Sequence, residues 1–321
     1  MLSNENINDL KVAIDQAKHI AIIWHHSPDG DSIWSTTWLW EILKKLGKKV
    51  EYFSDEEISK FYSFIKETRH FKTEFKWKFD LIILCDLNEP ARTGFIDFDD
   101  EFLAQNFVVI IDHHMYTKES GKINILEPQA SSASEIVFQI IERLRPEQLD
   151  WHIATNLMCG MIFDTDCFRH PNVRAQTLAA ASKLLELWAD KQFIIDNLYR
   201  NNTFGKIQFI SMMIQRAVLK NKIIYTYYDE SELADYDTDK DSIKDILPMM
   251  MSIKRVSIAL LFKKDWEKLT CSVRSKTDLA QKIASNFGGG GHSKAAGFMI
   301  EAKNNLDRQF KKIIEEIKNI I

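Results

Sequence analysis

The first half of this chain alternates short apolar runs with helical stretches, and no other feature restricts its fold so severely. HIAIIW (19–24), KKVEYF (48–53), FDLIILC (79–85) and FVVIID (107–112) are each the length of a strand. SIWSTTWLWEILKKLG, closed by Gly47, then SASEIVFQIIERL and WHIATNLMCGMIF, read as helices by length and period. Strands that alternate with helices require a largely parallel sheet covered on both faces. Ligands bind such sheets beyond the carboxyl ends of the strands. Asp29, Asp86 and His113 all fall there.

The pattern changes after TLAAASKLLELWA (177–189). Residues 189–220 read as helices bridging two units, with NNTFG as a break. KIIYTYY (222–228), RVSIALLF (255–262) and KLTCSVRS (268–275) then carry the β-branched enrichment and alternation of a smaller mixed sheet. At 321 residues the chain is too long for one ordinary core. The expected organisation is α/β in both halves: a catalytic domain over 1–188, a helical linker over 189–220 and a second domain over 221–321.

Composition narrows the class. The N-terminus lacks the basic start and apolar core of a signal peptide, and no apolar run nears the roughly 20 residues that span a bilayer. Cys85, Cys159, Cys167 and Cys271 are scattered without C-x-x-C spacing, which argues against a disulfide framework or a zinc ribbon. A soluble, cytoplasmic protein with no membrane partner is expected. The charge is uneven: residues 251–321 hold 14 basic against 7 acidic residues, net +7, and the rest holds 28 against 39, net −11. A metal-binding first part and a phosphate-holding last part suit that balance.

The chemistry concentrates in four segments, HHSPDGD (25–31), CDLNEPARTG (85–94), IDHH (111–114) and FDTDCFRH (163–170). Blander readings explain single residues. "DG" is a common turn dipeptide, and Asp31 or Ser32 could cap the helix that starts there. Neither explains why each segment begins where an apolar element ends and offers Asp or His. Carboxylates gathered at one sheet edge repel unless something positive lies among them. Carboxylate and imidazole ligands without thiolate favour Mn²⁺ or Mg²⁺ over structural zinc. A pair of such ions suits in-line attack on phosphorus.

At these residues the sequence resembles the DHH phosphoesterases, named for a triplet that stands here as Asp112-His113-His114. HHSPDGDS fits the first motif, H-x-x-P-D-x-D, and Asp86 with Arg92 and Gly94 fits the second; DHH is the third, and DTDCFR resembles the fourth. VRSK…FGGGGHSKAAGF (273–298) resembles the glycine-rich signature of the DHHA1 domain. The resemblance implies two Mn²⁺ ions, with Mg²⁺ or another divalent ion as the alternative. It implies that His25, Asp29 and Asp86 hold one ion. Asp31, Asp86, His113 and Asp164 would hold the other, with Asp86 bridging. His114 and Asp86 would be the catalytic residues, Asp112 an orienting partner. Arg92, Arg274, Ser275, Lys276, Gly288, Gly289, Gly290, Gly291 and His292 would bind substrate.

Two departures stand out. Asp166 replaces a glycine common at that place, and DSIWS brings Trp34 where small residues are usual. Trp34 reads as core before it reads as a base-stacking platform, and His26 as a neighbour of the site rather than a ligand. His19, His70, His152 and His170 lie outside the matched positions and read as structural. The resemblance is to the oligoribonuclease and pAp phosphatase group, so short RNA and small nucleotides are the expected substrates. A cyclic or linear dinucleotide phosphodiesterase is the alternative, and a non-catalytic nucleotide or RNA binder the alternative of another class. A family II pyrophosphatase would share the metal half but not the GGGGH ending. A homodimer remains open.

Overall fold

The computed structural model describes residues 2–62, 64–75, 78–87, 89–95, 98–114, 119–236, 238, 242–291 and 293–320. It divides into two compact units, Met1–Arg200 and Asn201–Ile321.

The first unit is built on a five-stranded, wholly parallel sheet in the order β2-β1-β3-β4-β5. Its elements are α1 (Asn4–Gln16), β1 (His19–Ile23), α2 (Gly30–Lys45), β2 (Lys49–Phe53), β3 (Leu81–Cys85), α3 (Asp100–Gln105), β4 (Val108–Asp112), β5 (Ile123–Leu126), α4 (Ala133–Leu144), α5 (Trp151–Asp164), α6 (Ala175–Glu186) and α7 (Lys191–Tyr199). Alternation along the strands sorts the core in two. Ile20, Ile22, Leu81, Ile83, Cys85, Val109 and Ile111 pack with α2, α4 and α5. Ala21, Ile23, Ile82, Leu84, Val108 and Ile110 pack with Phe98, Phe102 and Leu103 at α3. Both faces are therefore covered, as strands with almost no polar residues require.

Local signals account for the helix that leads into the site. The side chain of Asp29 caps α2, accepting a hydrogen bond from Ser32 N at 3.1 Å, so the cap is neither Asp31 nor Ser32. At the other end Gly47 takes the left-handed backbone, φ +77°, that ends a helix without steric penalty. Trp34 is fully buried, against Tyr62, Phe64 and Phe163, and belongs to the core.

The second unit carries α8 (Phe204–Arg216), β6 (Val218–Lys220), β7 (Ile223–Asp229), α9 (Ile246–Met251), β8 (Ile258–Asp265), β9 (Lys268–Ser275), α10 (Ala280–Asn286), β10 (Gly290–Gly291), β11 (Ala295–Glu301) and α11 (Leu306–Lys318). Its sheet runs β10-β11-β9-β8-β7-β6 and is mixed: β7 and β8 are parallel, the other pairs antiparallel. The stretch 189–220 contains α7 of the first unit and α8 of the second. Among the described residues no helix is long and apolar enough to cross a membrane, and all four cysteines are free thiols.

Candidate active site

The carboxyl edge of the parallel sheet gathers eight of the expected residues. Asp29 and Asp31 arrive at the start of α2, Asp86 directly after β3, Asp112 at the end of β4 with His113 and His114 beyond it, and Asp164 at the end of α5. His25 follows β1 by two residues. Three overlapping groups have ligand atoms within 4.8 Å of one another: His25, Asp29 and Asp86; Asp31, His113 and Asp164; and Asp86, His113 and His114.

Asp86 is the hinge of this arrangement. Its Oδ2 lies 3.8 Å from His25 Nε2, and its Oδ1 lies 3.3 Å from His113 Nε2 and 3.9 Å from His114 Nδ1. Oδ1 is buried and accepts no hydrogen bond, a state that favours a nearby cation. The backbone of Asp86 is left-handed, φ +59°, and its N–H donates to Ile111 O at 2.8 Å. Such a conformation costs on the order of 1–2 kcal/mol in a residue with a Cβ.

The neighbouring side chains are oriented by hydrogen bonds that leave ligand atoms facing inward. His25 Nδ1 lies 2.8 Å from the carbonyl of His26. A carbonyl only accepts, so Nδ1 carries the proton and Nε2, 3.9 Å from Asp29 Oδ1, keeps its lone pair. His114 Nδ1 donates to the fully buried Asp112 at 2.7 Å. Asp31, also fully buried, accepts from Ala133 N at 2.6 Å and Ser134 N at 3.1 Å. Its Oδ2 remains 4.0 Å from His113 Nε2, which is itself 3.9 Å from Asp164 Oδ2.

The electrostatics are those of a crowded anionic pocket. Burial drives Asp31 well above its ordinary value, with Asp86 and Asp164 adding to it. Burial likewise raises Asp29, helped by Asp86. Asp164 is pushed up to about 7, by burial first; His113 opposes, and Asp29 and Asp86 reinforce. Burial works against Asp86 too, but the imidazoles of His113, His114 and His25 outweigh it and hold that carboxyl down to about 2. Burial also disfavours charged His113 and His114. Asp86, Asp164 and Asp31 nonetheless hold His113 well above its usual value, and Asp112 with Asp86 raises His114. The pocket takes up positive charge, as protons or as metal ions.

Other residues fall beside the cluster. His26 is exposed, with Nδ1 2.6 Å from Asp55, and its N–H donates to Arg92 O at 2.6 Å, which ties the Arg92 turn to the His25 loop. Asp166 sits with Cys167 and Phe168 in three successive left-handed residues and pairs with Arg169 at 2.5 Å, outside the ligand groups. His19 bonds Glu51, His70 stacks on Trp40 and His152 meets Trp38 edge-on. His170 is nearer the chemistry than its sequence position suggests, with Nδ1 3.1 Å from Asp164 O.

In the second unit Arg274 lies half-buried on β9, between Ala259 and Ala295 in register, and burial lowers its pKa. Ser275 is buried and spends its hydroxyl on Thr277 N and Leu279 N, while Lys276 is exposed. The glycine run divides its work. Gly288 and Gly289 donate their N–H groups to Ser285 O and Ala284 O, closing α10, and Gly290 and Gly291 form β10. A Cβ on Gly289 would lie 2.2 Å from Gly297 O, which requires glycine there. His292 lies outside the described residues.

Sequence reasoning passed over Gly160 and Glu135. A Cβ on Gly160 would lie 2.0 Å from Ser134 Oγ and 2.8 Å from Asp31 Oδ1, so α5 crosses α4 here only as glycine. Glu135 carried a signal, the Ser-x-x-Glu spacing of a helix start.

Residues 19–161 match the DHH family, N-terminal domain, and residues 220–319 match the DHHA1 domain. The chain is 25% identical over 305 residues to the bifunctional oligoribonuclease and PAP phosphatase NrnA of Thermus thermophilus, covering 93% of this chain and 89% of that one. It is 27% identical over 222 residues to the cyclic-di-AMP phosphodiesterase GdpP of Geobacillus thermodenitrificans, covering 66% of this chain and 32% of that one. An exopolyphosphatase-related protein from Bacteroides fragilis shares the fold with a TM-score of 0.90 at 23% identity, covering 100% of this chain and 98% of that one.

Proposed function

We propose, for a chain that belongs to the DHH family of phosphoesterases and carries a DHHA1 domain, that it hydrolyses short oligoribonucleotides to mononucleotides and 3′-phosphoadenosine 5′-phosphate to AMP. The observation that carries this reading is Asp86: a buried carboxylate without a donor on Oδ1, shared between a His25–Asp29 group and a His113 group. The oxygen and imidazole donors fit a pair of divalent ions, Mn²⁺ before Mg²⁺. His25, Asp29 and Asp86 would hold one; Asp31, Asp86, His113 and Asp164 would hold the other. Ions bound there supply Lewis acidity toward phosphoryl oxygens and lower the pKa of a water.

The chain's own side chains set the remaining conditions. The His26 carbonyl fixes the His25 tautomer that ligation needs. Asp112 aims the His114 ring and favours its charged form, which carries a proton on Nε2 that can pass to a leaving oxygen. Arg274, charged and partly desolvated, suits a substrate phosphate away from the reacting one. The relative from Thermus thermophilus supports the substrate assignment by its name and its nearly complete overlap. The match to a cyclic-di-AMP phosphodiesterase favours a second reading, hydrolysis of cyclic or linear dinucleotides.

Initial rates with Mn²⁺ on pAp, cyclic di-AMP, linear pApA, RNA dimers to pentamers and a long RNA separate these readings. Highest rates on pAp and the short RNAs, both lost together in His113→Ala, are expected. Preference for the cyclic dinucleotide, or rapid processive digestion of the long RNA, would contradict the assignment.

A further inference from the structure

Glu135 is buried in the first turn of α4, with a relative exposure of 1%, and no basic side chain pairs with it among the described contacts. Its carboxylate instead gathers donors from two segments. Oε2 accepts from Ser131 N at 2.9 Å, Ser131 Oγ at 2.7 Å and Thr177 Oγ1 at 2.9 Å. Thr177 belongs to the first turn of α6, and Asn172, just before that helix, donates to Ser131 O at 3.0 Å. One carboxylate therefore fastens the start of α4 to the start of α6, the segment that follows Asp164.

The fastened turn has a definite use. Three N–H groups open α4: Ala133 and Ser134 donate to the two oxygens of Asp31, and Glu135 donates to the capping hydroxyl of Ser132. Asp31 thus ends the α4 helix from another element, where the helix dipole favours its ionised form. Each carboxylate oxygen has two acceptor positions, so the N–H bonds leave Oδ2 a lone pair beside His113. The N–H donors fix the orientation of Asp31, and Gly160 leaves it room: a Cβ there would lie 2.8 Å from Asp31 Oδ1.

We infer that Glu135 is a positioning residue for the ion site of Asp31, His113 and Asp164, acting through Ser131 and the first N–H groups of α4. The inference rests on the two-ion reading above. Glu135 makes no contact with His25 or Asp29 among the hydrogen bonds described, so the site those residues share with Asp86 keeps its geometry when the clamp is broken. Its charge is not required: a glutamine can present its amide oxygen to Ser131 and Thr177 and donate its NH₂ to Gln139 once the Gln139 amide, whose Nε2 now donates to Oε1 at 3.2 Å, flips to offer its oxygen.

The test is Mn²⁺ titration calorimetry on the full chain, wild type beside Glu135→Ala, Glu135→Gln and Thr177→Val, with thermal unfolding recorded for each. Wild type should bind two ions. In Glu135→Ala one binding step should weaken about 10–100-fold while the other stays within about threefold of wild type. Glu135→Gln should recover most of the loss. Thr177→Val, which keeps the shape while removing the donor to Glu135 and the acceptor for Arg174 N, should weaken the same step about threefold and covers the case in which the alanine variant does not fold. Unchanged affinities in both Thr177→Val and a folded Glu135→Ala, or equal weakening of both steps, would overturn the positioning role with the two-ion reading intact. A wild type that binds fewer than two ions would overturn that reading, and this inference with it.

Discussion

Replacing Asp164 by asparagine should make the ion-free protein more stable above neutral pH while removing much of its response to divalent ions. Burial, with Asp29 and Asp86 behind it and His113 opposing, pushes the Asp164 carboxyl up to about 7 from an ordinary 3.8. Three pKa units correspond to about 4 kcal/mol. A quarter of the side chain remains in water, 25%, so screening brings the figure to roughly 2–3 kcal/mol. The sign follows from proton counts. Below about pH 4 the group is protonated in folded and unfolded chains alike and contributes nothing. Between about 4 and 7 the folded chain holds a proton that the unfolded chain has released, so stability falls as pH rises. Above 7 the full penalty applies. Asparagine has the same shape and cannot ionise. Its melting temperature in chelator should exceed wild type by roughly 4–12 °C at pH 8 and match it near pH 4. Thermal unfolding across that pH range, in chelator and then in Mn²⁺, reads both effects. Mn²⁺ should raise the wild type strongly and the variant much less. An asparagine variant less stable than wild type in chelator at pH 8, or one with an undiminished Mn²⁺ response, would refute the reasoning.

Asp86→Ala should weaken both Mn²⁺ binding steps, since both ligand groups share this carboxylate, and lower hydrolysis by more than the roughly 10–100-fold that losing an outer hydrogen-bond partner brings. Gly160→Ala should destabilise the chain by about 1–3 kcal/mol through overpacking against Ser134, and should weaken Mn²⁺ binding through Asp31, read by unfolding and calorimetry together. Arg274→Ala should keep its full complement of Mn²⁺ by elemental analysis yet lose kcat/KM on pAp by on the order of 1.5–3 kcal/mol, the worth of a charge-assisted hydrogen bond.

The parts of this fold written in local pattern were legible. The runs ending at Trp24, Phe53, Cys85 and Asp112 became four parallel neighbours because they are flanked by helices and the central ones are apolar on both faces, while the edge run ending at Phe53 carries Lys49 and Glu51 on one face. β5 escaped notice: INIL is four residues long and only alternately buried, so it has no such run. The acids and histidines were legible because each motif begins where a strand or helix ends, and the edge of one sheet then brings them together. Less was visible where long-range contacts decide. The blander reading of Asp31 or Ser32 as the cap of the following helix fails, since Asp29 caps α2, and nothing local shows that Asp31 reaches 102 residues along the chain to Ala133. The left-handed backbone of Asp86 has no sequence signature, since glycine is the usual marker and aspartate stands there. The GGGG run resembles a substrate-binding signature, but closing α10 consumes the N–H groups of its first two glycines.

The central claim is that Asp86 joins two ion sites into one phosphoester-cleaving centre. Electron paramagnetic resonance of the protein titrated with Mn²⁺, followed alongside hydrolysis of an RNA dimer, tests it directly. Two ions per chain, a spectrum showing exchange coupling between them, and a rate that rises with the second ion are expected, with coupling and rate both lost in Asp86→Ala. A single bound ion at full activity, or two magnetically isolated ions unaffected by that substitution, would contradict the account.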